Sequence, residues 1–410
     1  MKVKKMAYPA MAGFVALTML VGCSRPTDNG NDTSPESDGS NQSEQATNAD
    51  GAGSSDVIRL GVPGVYSGPS ASAGNGILEG LEVKANEINE DGGLLDGQMI
   101  ELVTRDHGTD PDVAIDNIRE LIEDDNITAF VGGSTTGPLL ATAPIVNEAG
   151  IPWVVAGGTG TKATEQPDPN YIFRVSLVDN LQTQFAAAEA LERTDKVALL
   201  TDTSGLGQGG REDLMAAFDE LGTAPVADET FNVGDTDMTS QLSRVQDAGA
   251  EVIIFWGVGP EAAQVRQGMD SLSMDQLMIA NWGLGMPNYP ELAGDLADGT
   301  LVIQTVTFYE TTDPIAEDAL ARFEEEFDTD RLTFAQEFAN AYDSLGLLVD
   351  AIEKAGSTDH DAIRDALLEA QFDGLIKSYD NPWTDDNHEA ITLDDFMLTE
   401  VQGTDLVPFS

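Results

Sequence analysis

Three short stretches carry residue types that could hold a small anion. They are Gly132-Gly133-Ser134-Thr135-Thr136, Ala156-Gly157-Gly158-Thr159 and Asp202-Thr203-Ser204-Gly205. Each ends an apolar run. Glycines let a ligand approach the backbone, free amides at a following helix start favour negative charge, and a hydroxyl adds a donor. The first stretch contains no Lys or Arg. A carboxylate bound there would be held by neutral donors, chiefly Thr135, Thr136 and Thr159. Ordinary helix capping by Ser and Thr explains any one such loop. Two of them ending neighbouring strands favour a ligand site.

A competing chemistry is written in GLGQGG, Gly205 to Gly210, which matches G-x-G-x-x-G behind the apolar run KVALLTD. With Asp228 and Glu229 about twenty residues on, it satisfies the pattern of a dinucleotide-binding fingerprint. A bare glycine turn between strand and helix gives the same letters. Other enzymatic signatures are missing from the sequence. His107, His360 and His388 stand in no metal-ligand spacing, and each is expected at the surface. No G-x-S-x-G, H-E-x-x-H or P-loop pattern occurs. Neither catalysis nor a cofactor is expected. Among the few aromatic residues, Trp153 lies inside an apolar strand and reads as core. Trp256 and Trp282 fall at or just past strand ends, where they could wall a cleft opposite the hydroxyl loops or simply pack.

The elements that must position these residues follow from periodicity. VIRLGV, MIELVTRD, ITAFVGG and IPWVVAGG read as strands, with helices over Ile77 to Asp91, from Asp110-Pro111 onward, and through Asn147 between them. After Arg174 the alternation restarts with KVALLTD, AEVIIFWG and DQLMIAN. Helices are expected near Glu212 to Leu221, Met238 to Ala248 and Pro260 to Leu272. TLVIQTV suggests a return strand, and Ile315 to Phe327, Thr333 to Ala355 and Asp361 to Ala370 suggest late helices. Alternation at this spacing implies an α/β fold, parallel sheets covered by helices on both faces, in two lobes.

The chain of 410 residues carries 72 acidic against 20 basic groups, a formal net charge of −52. Such a surface repels nucleic acid and anionic lipid. Its hydrophobic content of 41% is nonetheless that of a folded protein, and the composition resembles proteins of salt-loving organisms. The start MKVKK, the apolar stretch Met6 to Val21 and Leu-Val-Gly-Cys at 20–23 read as a secretion signal (1–22) ending in a lipoprotein box. Cys23 is the only cysteine and is expected to carry lipid. Residues 23–55 lack large apolar side chains beyond Cys23 and read as a disordered tether.

These residues together resemble a family. GVPGVYSGPSASAGNGILEGLEVKANEINEDGGLLDGQMIELVTRDHGTDP and VGGSTTGPLLATAPIVNEAGIPWVVAGGTGTKAT, with YIFRVSLVDNLQ, KVALLTDTSGLGQGG and GDTDMTSQLSRVQDAGAEVIIFWGVGPEAAQVRQGM, are similar to the leucine/isoleucine/valine-binding proteins of ABC importers. The resemblance implies a type I periplasmic-binding fold: two doubly wound parallel-sheet lobes joined by three hinge crossovers, closing on a ligand. The lobes would comprise 56–177 with 306–384 and 178–305 with 385–410. It also implies permease subunits and their ATPases as partners, a monomeric binding protein, and a small-molecule ligand whose carboxylate is held at Thr136, with Thr135 beside it, and at Gly158-Thr159. An extracellular sensor of the same fold would use the same site.

The second lobe departs from the family's pattern. Leu206 stands where a tyrosine is common, Val258-Gly259 where an aromatic is usual, and Trp282 where an acid pairs with the α-ammonium. Ala73 likewise replaces a common tyrosine. An unpaired ammonium in a closed cleft costs about 1–3 kcal/mol or more. A carboxylate, amide or aromatic solute without an amine therefore fits Trp282 better than an α-amino acid.

Overall fold

The structure is a computed structural model that describes residues 57–124 and 126–409. Cys23, the signal and the tether lie outside the described residues. The first sheet is built from β1 (Val57–Gly64), β2 (Met99–Asp106), β3 (Ala129–Gly132), β4 (Trp153–Val155) and β5 (Ile172–Arg174), in the order β2-β1-β3-β4-β5 and entirely parallel. Helices α1 (Ala71–Glu90), α2 (Pro111–Asp124) and α3 (Thr136–Ala149) make the crossovers. The inner strands are apolar throughout because both faces are covered.

The second sheet contains β6 (Val197–Asp202), β7 (Ala227–Phe231), β8 (Val252–Trp256), β9 (Leu277–Ala280) and β10 (Leu301–Gln304) in parallel. An antiparallel hairpin from the end of the chain, β13 (Met397–Gln402) and β14 (Asp405–Pro408), extends it beside β10. α4 (Asp179–Arg193) and α5 (Gly205–Glu220) cover one face; α6 (Thr239–Asp247), α7 (Gly259–Ser271) and α8 (Asn288–Ala293) cover the other. The strand period of two is explicit in β6. Val197 and Leu199 pack with Leu214 and Phe218, whereas Ala198 and Leu200 pack with Leu242 and Val265.

After β10 the chain returns to the first lobe as α9 (Pro314–Phe327), α10 (Ala335–Ala355) and α11 (His360–Leu367), followed by the small hairpin β11 (Gln371–Asp373) and β12 (Ser378–Asp380). α10 lies against α1 because α1 offers glycine at the contact. A Cβ on Gly80 would stand 2.3 Å from the Phe338 carbonyl oxygen, and one on Gly76 2.9 Å from Phe334 Cβ. The chain thus passes between the lobes three times, at 175–178, 305–313 and 381–396. Arg174, fully buried, ties two of these passages together. Its Nε donates to Glu389 at 2.7 Å, and its Nη1 donates to the carbonyls of Gly158 (3.1 Å) and Gly160 (3.0 Å).

Several elements differ from the sequence expectation. β7 pairs on one side only, and its ADETF sequence is half-exposed, so it carries no buried-strand pattern. α4 has helical spacing, but the face it buries is Asp179, Gln182, Thr183, Ala186, Ala187 and Ala190, polar or small side chains that make no apolar stripe, and the late hairpin strands are short. The helix expected near Glu212 begins instead at Gly205. The histidines are not surface residues. His107 and His388 are buried and His360 is half-buried. His388 stacks on Phe173 with ring centroids 4.2 Å apart, and its Nδ1 lies 2.9 Å from the Ile172 carbonyl oxygen. Burial pushes its pKa down. Among the described residues no helix is long and apolar enough to cross a membrane.

Candidate functional site

The first hydroxyl loop leaves β3 through Gly132 (φ +95°) and Gly133 (φ +90°). A side chain on Gly133 would also meet Trp153 Cζ2 at 2.8 Å. Ser134 uses its hydroxyl structurally, accepting from the Val65 amide at 2.8 Å. Thr135 does not. It occupies the position before the first turn of α3, where a hydroxyl ordinarily caps the helix, but makes no side-chain cap bond. Its Oγ1 is buried without any hydrogen-bond partner. The amides of Thr136 and Gly137, in the first turn of α3, have no intrahelical acceptor, and Pro138 has no N–H to offer.

The second loop stands beside the first. The Ala156 amide donates to Gly132 O at 3.1 Å and the Gly158 amide to Gly133 O at 2.9 Å. Gly158 is therefore not a free donor: its N–H is spent on the neighbouring loop and its carbonyl on Arg174. Its value is its size, since a Cβ would stand 2.8 Å from Leu139 Cδ2 and 3.1 Å from the Thr135 carbonyl. Thr159 is buried, and its Oγ1 makes no hydrogen bond of ordinary geometry, although it faces the Asp179 carboxyl closely enough to pull that group's pKa down. Two unspent hydroxyls, Thr135 and Thr159, thus end adjacent strands of one sheet.

The third loop is an ordinary cap. Ser204 Oγ accepts from the Gly207 amide at 3.2 Å, and Asp202 Oδ1 accepts from the Ser204 amide at 2.8 Å. GLGQGG is the first part of α5 rather than a phosphate loop. Its glycines are needed for packing: a Cβ on Gly207 would stand 2.2 Å from the Asp202 carbonyl oxygen, and one on Gly210 2.1 Å from Trp256 Nε1. The acids that completed the fingerprint are ion-paired, Asp228 with Arg211 at 2.8 Å and Glu229 with Arg244 at 2.6 Å. The dinucleotide motif loses its structural context.

Across from the hydroxyl loops, α5 starts against α3, and a Cβ on Gly205 would lie 3.5 Å from Gly137 Cα. Leu206 follows in the first turn of α5 and is buried. Trp282 opens a 3-10 turn after β9 and stacks on Phe334 of the first lobe, centroids 5.4 Å apart and planes 16° apart. Its Nε1 is buried and unpartnered. Leu206, Trp282, Met286 and Phe334 belong to a hydrophobic core that is continuous through both lobes, and the Trp282–Phe334 stack crosses between them. Trp256 belongs to the same continuous core but makes no contact across the lobes that the structure records. It is fully buried inside β8 against Gly210, and Trp153 is core as well.

Two cleft-end residues escaped the sequence reading. Asp179, the first residue of α4, is buried with both carboxyl oxygens unpartnered, and its amide donates to Thr159 O at 2.8 Å. Burial pushes its pKa up to about 7, with the Thr159 hydroxyl and then the charge of Arg174 pulling the other way. Asn281 spends its Oδ1 on the Gly283 amide at 3.0 Å and leaves Nδ2 buried without a partner. In so acidic a sequence one aspartate carries no signal, whereas Asn281, between a strand and Trp282, was the more legible of the two.

Comparison with known proteins agrees with this fold. The model of a family described as periplasmic binding protein matches residues 57–405, and the chain belongs to that family. A Leu/Ile/Val-binding protein homolog of Brucella melitensis is 28% identical over 320 residues, 77% of this chain and 83% of that protein. The crystal structure of a type 1 periplasmic binding protein from Bordetella pertussis superimposes with a TM-score of 0.78 and 26% identity, covering 86% of this chain and all of that one. A solute-binding protein of an ABC transporter from R. palustris, solved with 4-hydroxybenzoate, shares the fold at a TM-score of 0.74 and 22% identity, over 86% of this chain and 96% of that one.

Proposed function

We propose that this chain is the solute-binding component of an ABC importer, tethered outside the membrane by lipid on Cys23. It captures a small carboxylic acid without an α-amine by closing its lobes. The observation that carries the proposal is the pair of buried, partnerless hydroxyls on Thr135 and Thr159. A buried hydroxyl left unpaired costs about 1–3 kcal/mol, and a carboxylate arriving between the loops removes that cost at both. The Thr136 and Gly137 amides add donors backed by the helix dipole. Leu206 and Trp282 supply the opposite wall from the second lobe. A ligand drives closure only through contacts to both lobes, which this division provides.

The relatives bracket the chemistry: one is named for leucine, isoleucine and valine, another was solved with 4-hydroxybenzoate. Trp282 favours the second kind. An amino acid is a second reading, and the buried carboxyl of Asp179 beside Thr159 is what favours it. Thermal unfolding of the purified protein separates the two. The panel is leucine, isoleucine and valine, their amine-free acids, aromatic acids and short amides; a ligand of the native state raises the midpoint. Shifts with the amine-free acids support the proposal. Shifts confined to the amino acids overturn it and assign the ammonium to Asp179.

A further inference from the structure

The turn between α2 and β3 carries Asn126-Ile127-Thr128, the one N-x-[S/T] pattern among the described residues. In exported chains that pattern accepts N-linked sugar, with the asparagine on a surface loop. Two further copies, Asn31-Asp-Thr33 and Asn41-Gln-Ser43, lie outside the described residues. Three letters recur by chance, and the presentation of the asparagine separates a usable acceptor from a silent one.

Several asparagines of this lobe are spent on structure. Asn89 accepts from the Ile100 amide at 2.7 Å and donates to its carbonyl at 3.1 Å, Asn147 accepts from the Tyr171 amide at 2.8 Å, and Asn170 accepts from the Ile172 amide at 2.9 Å. Asn126 differs. It is exposed, and its side-chain amide has no partner among the described residues. Its φ of +50° is a left-handed conformation that asparagine adopts more readily than most side chains. The two residues after it are fixed. Ile127 is buried, its carbonyl oxygen lies 3.2 Å from His360 Nε2, and the Thr128 amide donates to Arg59 O at 2.8 Å. Anchoring Ile127 in the core leaves the Asn126 side chain in solvent.

The sheet register says where that side chain stands. Leu60 pairs with Ala129 in the parallel β1–β3 ladder, so Asn126 is level with Val57, the first residue of β1. The hydroxyl loops leave the opposite, carboxyl ends of these strands, a further 10 Å or about that along β3. A group attached to Asn126 therefore projects from the pole of the lobe remote from the cleft and leaves closure unobstructed.

We propose that Asn126 is an N-glycosylation site. The co-substrate is a sugar linked through phosphate to a lipid carrier. Asn126 Nδ2 bonds to the anomeric carbon, the bond from that carbon to the phosphate oxygen breaks, the lipid phosphate leaves with the electron pair, and Nδ2 loses one proton. The inference rests on the reading of the chain as exported, because the acceptor pattern is used outside the membrane.

Peptide mass spectrometry of the full chain, purified from membranes of its own organism, tests this. The peptide containing Asn126 is expected to carry an added mass that fragments into sugar residues. That mass should be lost in N126Q and in T128V, which keeps the asparagine and destroys the pattern, and should return in T128S. Sugar retained on this peptide in N126Q or in T128V overturns the assignment. An unmodified Asn126 in the wild type overturns the inference, and the Cys23 peptide of the same digest shows how far the failure reaches. Lipid on Cys23 leaves the export reading standing, whereas an uncleaved Met1 with a bare Cys23 thiol removes it as well.

Discussion

A threonine before a helix usually spends its hydroxyl on that helix, and Ser204 shows the ordinary case in this molecule. Thr135 has the same position and does not cap. Stability measurements should separate the two. Ser204→Ala is expected to cost about 1 kcal/mol in urea unfolding, the worth of a cap. Thr135→Val should be neutral or stabilising by a few tenths of a kcal/mol up to about 1, because it removes an unpaired buried hydroxyl. A loss at Thr135 as large as at Ser204 would mean that its hydroxyl is structural. The sequence made both residues visible but could not tell them apart, since Ser and Thr letters are identical whether the oxygen faces an amide or a cleft. Trp256 and Trp282 posed the same problem. Only Gly210, placed one strand-helix unit away, reveals that Trp256 needs space inside the core.

At the scale of elements, the parallel strands and most helices were readable because apolar runs of four to six residues alternate with helical periodicity. Elements without large apolar residues at those positions were lost: the edge strand β7, helix α4 and the closing hairpins. GLGQGG misled for a physical reason. Glycines that permit close helix packing and glycines that cradle phosphate obey the same spacing, and only their neighbours distinguish them. The unread helix α4 brings Asp179 to the cleft, with a testable consequence. Its folded pKa, about 7, lies above its ordinary value of 3.8, so the folded state prefers the protonated form. The associated stability is fully present below about pH 4 and is lost as pH rises toward 7. Asp179→Asn should therefore exceed the wild type in urea stability at pH 8, by an amount on the order of 1–4 kcal/mol, and approach it near pH 4. A constant difference across that range would contradict the assignment. At the passages between lobes, Glu389→Ala leaves Arg174 buried without its partner and should cost about 3–5 kcal/mol. Breaking the exposed Lys196–Glu251 pair, screened by solvent, should cost far less.

The whole molecule combines a folded two-sheet body with a surface of extreme negative charge. The lobes touch through Thr161, whose Oγ1 donates to Asp213 at 2.8 Å, through Asn288 to the Pro69 carbonyl at 3.4 Å, and through the Trp282–Phe334 stack. Self-repulsion among 72 acidic groups opposes this compact form. Raising sodium chloride from 0.1 M to 1 M shortens the screening length from about 10 to about 3 Å. The unfolding midpoint should rise clearly over that interval, and an unchanged midpoint would remove the case for a salt-adapted protein. In the proposed function two hydroxyls on the first lobe, Thr135 and Thr159, hold the solute carboxylate. Calorimetric titration with whichever amine-free acid most raises the unfolding midpoint, comparing wild type with Thr135→Val/Thr159→Val, tests it most directly. Two charge-assisted hydrogen bonds at about 1.5 kcal/mol each predict at least a hundredfold weaker binding with the unfolding midpoint of the free protein undiminished. Equal affinity in the double variant would contradict the account.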